Sequence, residues 1–310
     1  MASTHSTTSV GHWPTFLVIG AMKAGTTALY TAFDQHPEVF MSPVKEPNFF
    51  AFAETPPDFQ APIDQRADGV NHTSVTDAAA YRRLFAEAPP EQPRGEASHW
   101  YLYHPEAPAN IARYVPDARL IAMLRNPVER AYSEFLHFVR DGDEPITDFA
   151  AALDAEPERI TKNWALGRYV DRGRYDEQIE RYLDRFPREH LRIVLFDDFV
   201  GHPEAVRRDL FQFLGVDPSF QPEARRVNAS GVPRSRWLHA ALTAARPVRD
   251  AVVPLLPDPV VDWVNALKNR NLEKPPMPSD VRARLIDAFR PHVRRLESLI
   301  DRDLSHWLDS

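Results

Sequence analysis

The chain has no cysteine among its 310 residues, which removes disulfides, thiolate metal sites and a cysteine nucleophile. It also lacks any apolar run approaching the ~18 residues of a membrane-spanning helix. Residues 1–12, MASTHSTTSVGH, contain no hydrophobic signal region. A cytoplasmic protein without an integral membrane segment is the expectation. Positive charge is in deficit, with a formal net charge of −7. That balance disfavours a nucleic-acid partner, and a polyanionic ligand has to be met by a local cationic pocket. Glycine is scarce at 11 residues, well below the usual ~7% of a chain. Two glycines five positions apart in one loop therefore carry information.

Other features are plentiful. Hydrophobic residues make up 43% of the chain, with 18 Phe and 6 Trp, enough for a large core. The 29 prolines predict rigid loops and marked helix boundaries. Residues 1–13 read as a disordered leader and 14–310 as one domain whose part from 235 to 310 is helical. Strands are predicted at Phe16–Ile19, Val39–Met41, Gly95–Ser98, Arg119–Leu124 and Leu191–Phe196. Helices are predicted at Thr26–Gln35, Asp77–Ala86, Pro105–Tyr114, Pro127 to about Arg140, Asp176–Phe186, and Pro203–Leu214 with Gly215 as its cap. Residues 54–78 read as a surface loop, and 280–308 carry a strong amphipathic pattern. Strand–helix alternation of this kind predicts an α/β fold: a P-loop-like parallel sheet flanked by helices, with a helical C-terminal elaboration. Ligands of such sheets bind beyond the carboxyl ends of the strands, where Lys23, Ser98, His99 and Arg125 fall.

The segment Phe16–Thr27, FLVIGAMKAGTT, is an apolar strand entering a phosphate-type loop. A conventional nucleotide loop reads G-x-x-x-x-G-K-[ST], and its lysine reaches the outermost phosphate. Gly20 and Gly25 keep the glycine spacing, but Thr26 occupies the lysine position and the cation has moved inside the loop, to Lys23. The following helix would offer its unpaired N–H groups and positive dipole end to an anion. A plain turn using glycine for positive φ and threonine as a helix cap is the bland alternative. The second apolar strand, LIAML, ends in Arg125 where a nucleoside-triphosphate hydrolase carries a magnesium-holding Asp. Ser133 follows eight residues later, about two helical turns on, so that arginine and hydroxyl could hold one phosphate. Spacing alone equally allows Arg125 to pair with Glu129.

FLVIGAMKAGTTALY and LIAMLRNPVERAYSEF, in this order and about a hundred residues apart, resemble the two signature segments of sulfotransferases that use 3′-phosphoadenosine 5′-phosphosulfate (PAPS). The resemblance covers roughly residues 15–235, and the terminal helical part is typical of bacterial and carbohydrate-type members. It implies that Lys23, Ala24, Gly25, Thr26 and Thr27 bind the 5′-phosphosulfate and that Arg125 and Ser133 bind the 3′-phosphate. It further implies metal-free, in-line transfer of a sulfuryl group to a hydroxyl or amine, with PAP as product and Lys23 at the leaving oxygen. In RVNASGVPRSRWL, the residues Gly231, Arg234 and Ser235 match a loop closing over the 3′-phosphate, with Arg225, Arg226 and Arg236 as competitors. For the base, Glu46 in SPVKEPNFF matches the glutamate of heparan-type members, while His99 in GEASHWYLY lies near the catalytic histidine of cytosolic members; both remain open. The acceptor is a small molecule, carbohydrate or lipid. Aromatic residues at 99–104, Trp164, Tyr169 and Tyr175 either line its pocket or belong to the core. The apolar segment 251–267 is read as a lid or a homo-oligomer contact. Two alternatives stand beside this reading: a P-loop metabolite kinase, and a non-catalytic PAP-binding regulatory module.

Overall fold

An unbroken apolar pentapeptide has no face suited to water, and Phe16–Gly20 (β1) is buried along its whole length. In the computed structural model it occupies the centre of a five-stranded sheet. The other strands are Phe40–Met41 (β2), Arg94–Ala97 (β3), Arg119–Leu124 (β4) and Leu191–Leu195 (β5). Their order is β2-β3-β1-β4-β5 and every pairing is parallel. The structure describes residues 12–60, 67–223, 232–233, 272–273 and 275–309. Leader residues 1–11, the closing-loop residues Gly231, Arg234 and Ser235 with Arg225, Arg226 and Arg236, and the segment 251–267 lie outside the described residues.

The helices in chain order are Thr26–Asp34 (α1), Phe49–Phe52 (α2), Ala67–Thr73 (α3), Ala78–Arg83 (α4), Trp100–Tyr103 (α5) and Ala107–Tyr114 (α6). Then come Pro127–Asp141 (α7), Phe149–Asp154 (α8), Glu156–Thr161 (α9), Tyr175–Leu183 (α10), Phe196–Gly201 (α11), Pro203–Leu214 (α12) and Ser279–Ile300 (α13). Local chemistry sets several boundaries. The Asn126 side chain caps α7 by accepting from the Val128 N–H at 3.0 Å, Pro127 follows at the first helical position, and Gly142 ends the helix at φ 82°. Gly215 closes α12 at φ 78°. The C-terminal α13 packs its buried face against α10 and is pinned there by His292 Nδ1 and Asp176 at 3.0 Å. None of the described helices is long and apolar enough to cross a membrane.

Three expectations change. The stretch 54–78 is not loop throughout, because α3 lies within it. That short helix is held by long-range bonds, Phe59 N–H to Asn71 Oδ1 at 3.0 Å and Asn71 Nδ2 to the Phe59 carbonyl at 2.9 Å, which leave no periodic trace in sequence. Phe196 begins α11 instead of ending β5. Trp13, placed in the leader, packs its ring against Phe49, Phe50, Tyr81 and Tyr114 at centroid distances of 4.9–6.3 Å. Of the aromatics read as either pocket or core, Trp100, Tyr101, Tyr169 and Tyr175 are buried, and Trp100 also lines the cleft described below.

In the sheet, Gly95 stands opposite Phe16, and a Cβ at Gly95 would lie 2.5 Å from the Phe16 ring. Both strands are central and cannot move apart without breaking ladder bonds. Gly95→Ala is expected to destabilise the protein by about 1–3 kcal/mol, seen as a lower urea midpoint with an unchanged slope; an unchanged midpoint would show that the ring has room to turn.

Candidate active site

The loop after β1 is shaped by backbone constraints before any side chain acts. Its Ala21 N–H donates to the Met123 carbonyl of β4 at 2.7 Å, and the Ala24 N–H turns back to the Ala21 carbonyl at 3.2 Å. Gly25 takes φ 99° at the N-terminus of α1, and a Cβ there would meet Met123 Sδ at 3.1 Å and the Phe196 ring at 3.2 Å. No side chain caps α1, so its first-turn amides are left to whatever occupies the space in front of them. Lys23 has φ 62°, a conformation uncommon outside glycine. Burial, and next the Arg140 guanidinium, push its ammonium down to about 8 against the pull of Glu134 and Asp141.

That space is a cleft of about 930 Å³ at the carboxyl edge of the sheet. It brings together Lys23, Gly25, Thr26, Thr27, Glu46, His99, Arg125 and Ser133, all singled out from the sequence. Ala24 is fully buried and does not line it. Arg125 is held from two sides: its Nη1 donates to the Lys23 carbonyl at 3.2 Å, and its guanidinium carbon lies 4.9 Å from the centre of the Phe196 ring. The alternative pairing with Glu129 is long, at 4.0 Å, and Glu129 is bonded to Arg282 of α13. Arg125 and Ser133 thus face the same cleft as the α1 terminus.

The two base candidates are a pair. Glu46 Oε2 and His99 Nδ1 lie 3.1 Å apart, although 53 residues separate them in sequence. Pairing of β2 with β3 brings their loops together, and the Glu46 N–H donates to the Ala97 carbonyl at 3.1 Å. Glu46 and Asn48 have φ 58° and 57°, so the corner carrying the carboxylate is conformationally strained. Burial pushes the Glu46 carboxyl up, but the charge and hydrogen bond of His99, with the charges of Lys45 and His137, hold it at about 2. Lys45 also donates to Thr27 Oγ1 at 2.6 Å and so ties the Glu46 loop to the first turn of α1.

Several cleft residues escaped sequence reasoning. His137 and Arg140 of α7, Lys45, Arg172 and Phe196 all line the cleft. His137 and Arg140 lie one and two turns beyond Ser133 on the same helix, a spacing that could have flagged them. Arg172 carried no such signal. It reaches Met22 Sδ at 2.8 Å and Glu134 Oε1 at 2.9 Å, and the buried Glu134 carboxylate is shared with the buried Arg130. Asn48 Oδ1, at the cleft wall, is buried without a hydrogen-bond partner among the described residues.

Residues 14–222 match the family model described as "Sulfotransferase family". Among curated proteins, human bifunctional heparan sulfate N-deacetylase/N-sulfotransferase 3 is 29% identical over 307 residues, covering 95% of this chain and 31% of that protein. Human carbohydrate sulfotransferase 15 is 27% identical over 271 residues, covering 72% of this chain and 47% of that protein. The chain therefore spans less than half the length of these relatives. Among solved structures, a sulfotransferase from Alicyclobacillus acidocaldarius superposes with a TM-score of 0.76 at 34% identity, covering 96% of this chain and all of that one.

Because the folded Glu46 value lies below the ordinary 4.5, its pairing contributes stability above about pH 4.5 that is lost as pH falls towards 2. In His99→Ala the leading opposing influence is gone while burial remains. The Glu46 carboxyl midpoint, followed by carbon-13 NMR, is expected to rise towards or above the ordinary range; a midpoint still near 2 would show that Lys45 and His137 suffice.

Proposed function

The chain belongs to the sulfotransferase family, and from that premise we propose that it moves a sulfuryl group from PAPS to a hydroxyl or amine of an acceptor, releasing PAP. The observation that carries this reading is one continuous cleft with two anion-holding sets. One is Lys23 with the uncapped start of α1; the other is Arg125 with Ser133. The donor set fits a ligand bearing phosphates at both ends: amides, hydroxyls, one ammonium and one guanidinium fork. Thr26 and Thr27 would hold the 5′-phosphate, Arg125 and Ser133 the 3′-phosphate, and Phe196, Phe199 and Val200 would give the base an apolar wall. When bound, PAPS supplies the sulfuryl group and a phosphate leaving group.

The chain's own residues account for the rest. Lys23 places positive charge where negative charge grows on the leaving oxygen, and the arrangement is assembled before reaction, so little reorganisation is required. Glu46 takes the acceptor's proton, with His99 orienting its carboxylate. One observation favours a second assignment: a carboxylate held at about 2 is a weak base, and a histidine steadied by such a carboxylate is a stronger one. Carbohydrates head the acceptor screen, because two relatives are named for carbohydrate or heparan sulfate chemistry.

Glu46→Gln is expected to lose about 10²–10⁴ of turnover with PAP affinity unchanged. If that variant turns over normally and His99→Asn does not, His99 is the base. PAP at 100 times its Kd should stabilise the fold by roughly 2.7 kcal/mol in thermal unfolding, whereas a shift with ATP and Mg²⁺ but not with PAP would favour a kinase.

Lys23 adds a pH signature. Above about pH 8 the empty site holds a neutral amine, and a bound phosphate favours the ammonium. PAP binding should therefore take up a proton near pH 8–9 and weaken as pH rises further, measured by calorimetry in buffers of differing ionisation enthalpy. Lys23→Met should abolish the uptake; uptake that persists would place the titrating group elsewhere.

A further inference from the structure

Glu96 and Ser98 are fully buried on and just after β3, outside the cleft lining, and the reading above gives them no role. The Glu96 carboxylate accepts three hydroxyls. Tyr81 of α4, at 3.0 Å, and Tyr101 of α5 meet Oε1, and Ser98 meets Oε2 at 2.9 Å. With its proton committed to Glu96, Ser98 Oγ turns lone pairs outward, and the Asn48 N–H donates to it at 3.1 Å. Asn48 ends the corner that begins at Glu46, and both residues sit at positive φ. Such a corner persists only while its surroundings fix it.

We propose that Glu96 is a positioning residue: acting through Ser98 it pins the Glu46–Asn48 corner and so aims Glu46 into the cleft. This rests on reading Glu46 as part of the proton-accepting pair. Ionisation matters to the device. A neutral Glu96 has a proton to give and one acceptor oxygen fewer, so the Ser98 hydroxyl is released and can turn its proton towards the Asn48 N–H. The groups facing Glu96 are the Tyr81, Tyr101 and Ser98 hydroxyls and, further off, the Glu46 charge. Burial pushes the carboxyl up, the three hydroxyls draw it down, and it rests at about 7. A value above the ordinary 4.5 means that the stability supplied by neutral Glu96 is complete below pH 4.5 and lost as pH rises through 7. Folding thus favours the neutral form and the aimed corner requires the charged one, so stability and turnover should part company.

The test uses the full chain, PAPS turnover read as PAP released with water as acceptor, and hydrogen exchange of the Asn48 amide. Ser98→Ala and Glu96→Gln are expected to lower kcat about 10- to 100-fold, leave KM for PAPS unchanged and speed Asn48 exchange. Glu96→Gln should keep its melting temperature at pH 8 and lose the wild-type fall in kcat below about pH 7. Tyr81→Phe, which strips a hydroxyl from Oε1 alone, should lower the melting temperature and move the fall in kcat to higher pH, because one of the hydroxyls that draw the Glu96 carboxyl down is gone. Should Glu96→Gln fail to fold, Ser98→Ala still decides: wild-type kcat with a protected Asn48 amide overturns the proposal. Undiminished PAP release by Glu46→Gln would instead sink the reading of Glu46, with Asn48 exchange still reporting whether Glu96 holds the corner.

Discussion

Parallel strands cannot be joined by tight turns, and that constraint organises everything else in this molecule. Each return must cross a face of the sheet, so the carboxyl ends collect along one edge. With β1 in the middle and β3 and β4 beside it, the loops after these strands converge. The chain then leaves the sheet at Lys23, His99 and Arg125 within reach of one cleft. Groups from three distant parts of the sequence meet because the register of the ladder leaves them no other place.

Charge is managed in two layers. The chain carries a net −7, yet the cleft gathers Lys23, Lys45, Arg125, Arg140 and Arg172. Behind it one buried carboxylate, Glu134, answers two buried guanidiniums, Arg130 and Arg172. Removing Glu134 would leave two uncompensated charges in the interior, a far larger penalty than loss of a surface pair. Burial, and next the Arg140 guanidinium, make Lys23 hold its proton loosely, which suits the anionic ligand proposed for the cleft.

Much of the proposed cofactor half is legible in the sequence because strand, loop and helix are contiguous there. Gly20, Lys23, Gly25 and Thr26 are placed by a local turn, and Arg125 and Ser133 by a strand end and two turns of helix. The Glu46–His99 contact was not legible: the two looked like rivals, and only the pairing of β2 with β3 makes them partners. Arg172 and Phe196 were missed for the same reason, since each arrives from an element whose own periodicity says nothing about the cleft. The helix α3 reads as loop in the sequence because its support comes from Phe59, through Asn71, and not from an amphipathic stripe.

That last helix has a consequence for how such a protein changes over generations. Gly69, Val70 and Thr73 of α3 form one wall of the cleft, yet no strand register passes through them. Surface segments of this kind tolerate replacement and insertion far better than strands do. Descendants can therefore diverge at this wall while inheriting the cationic edge intact, and one ancestral scaffold can found lineages that act on chemically unlike molecules.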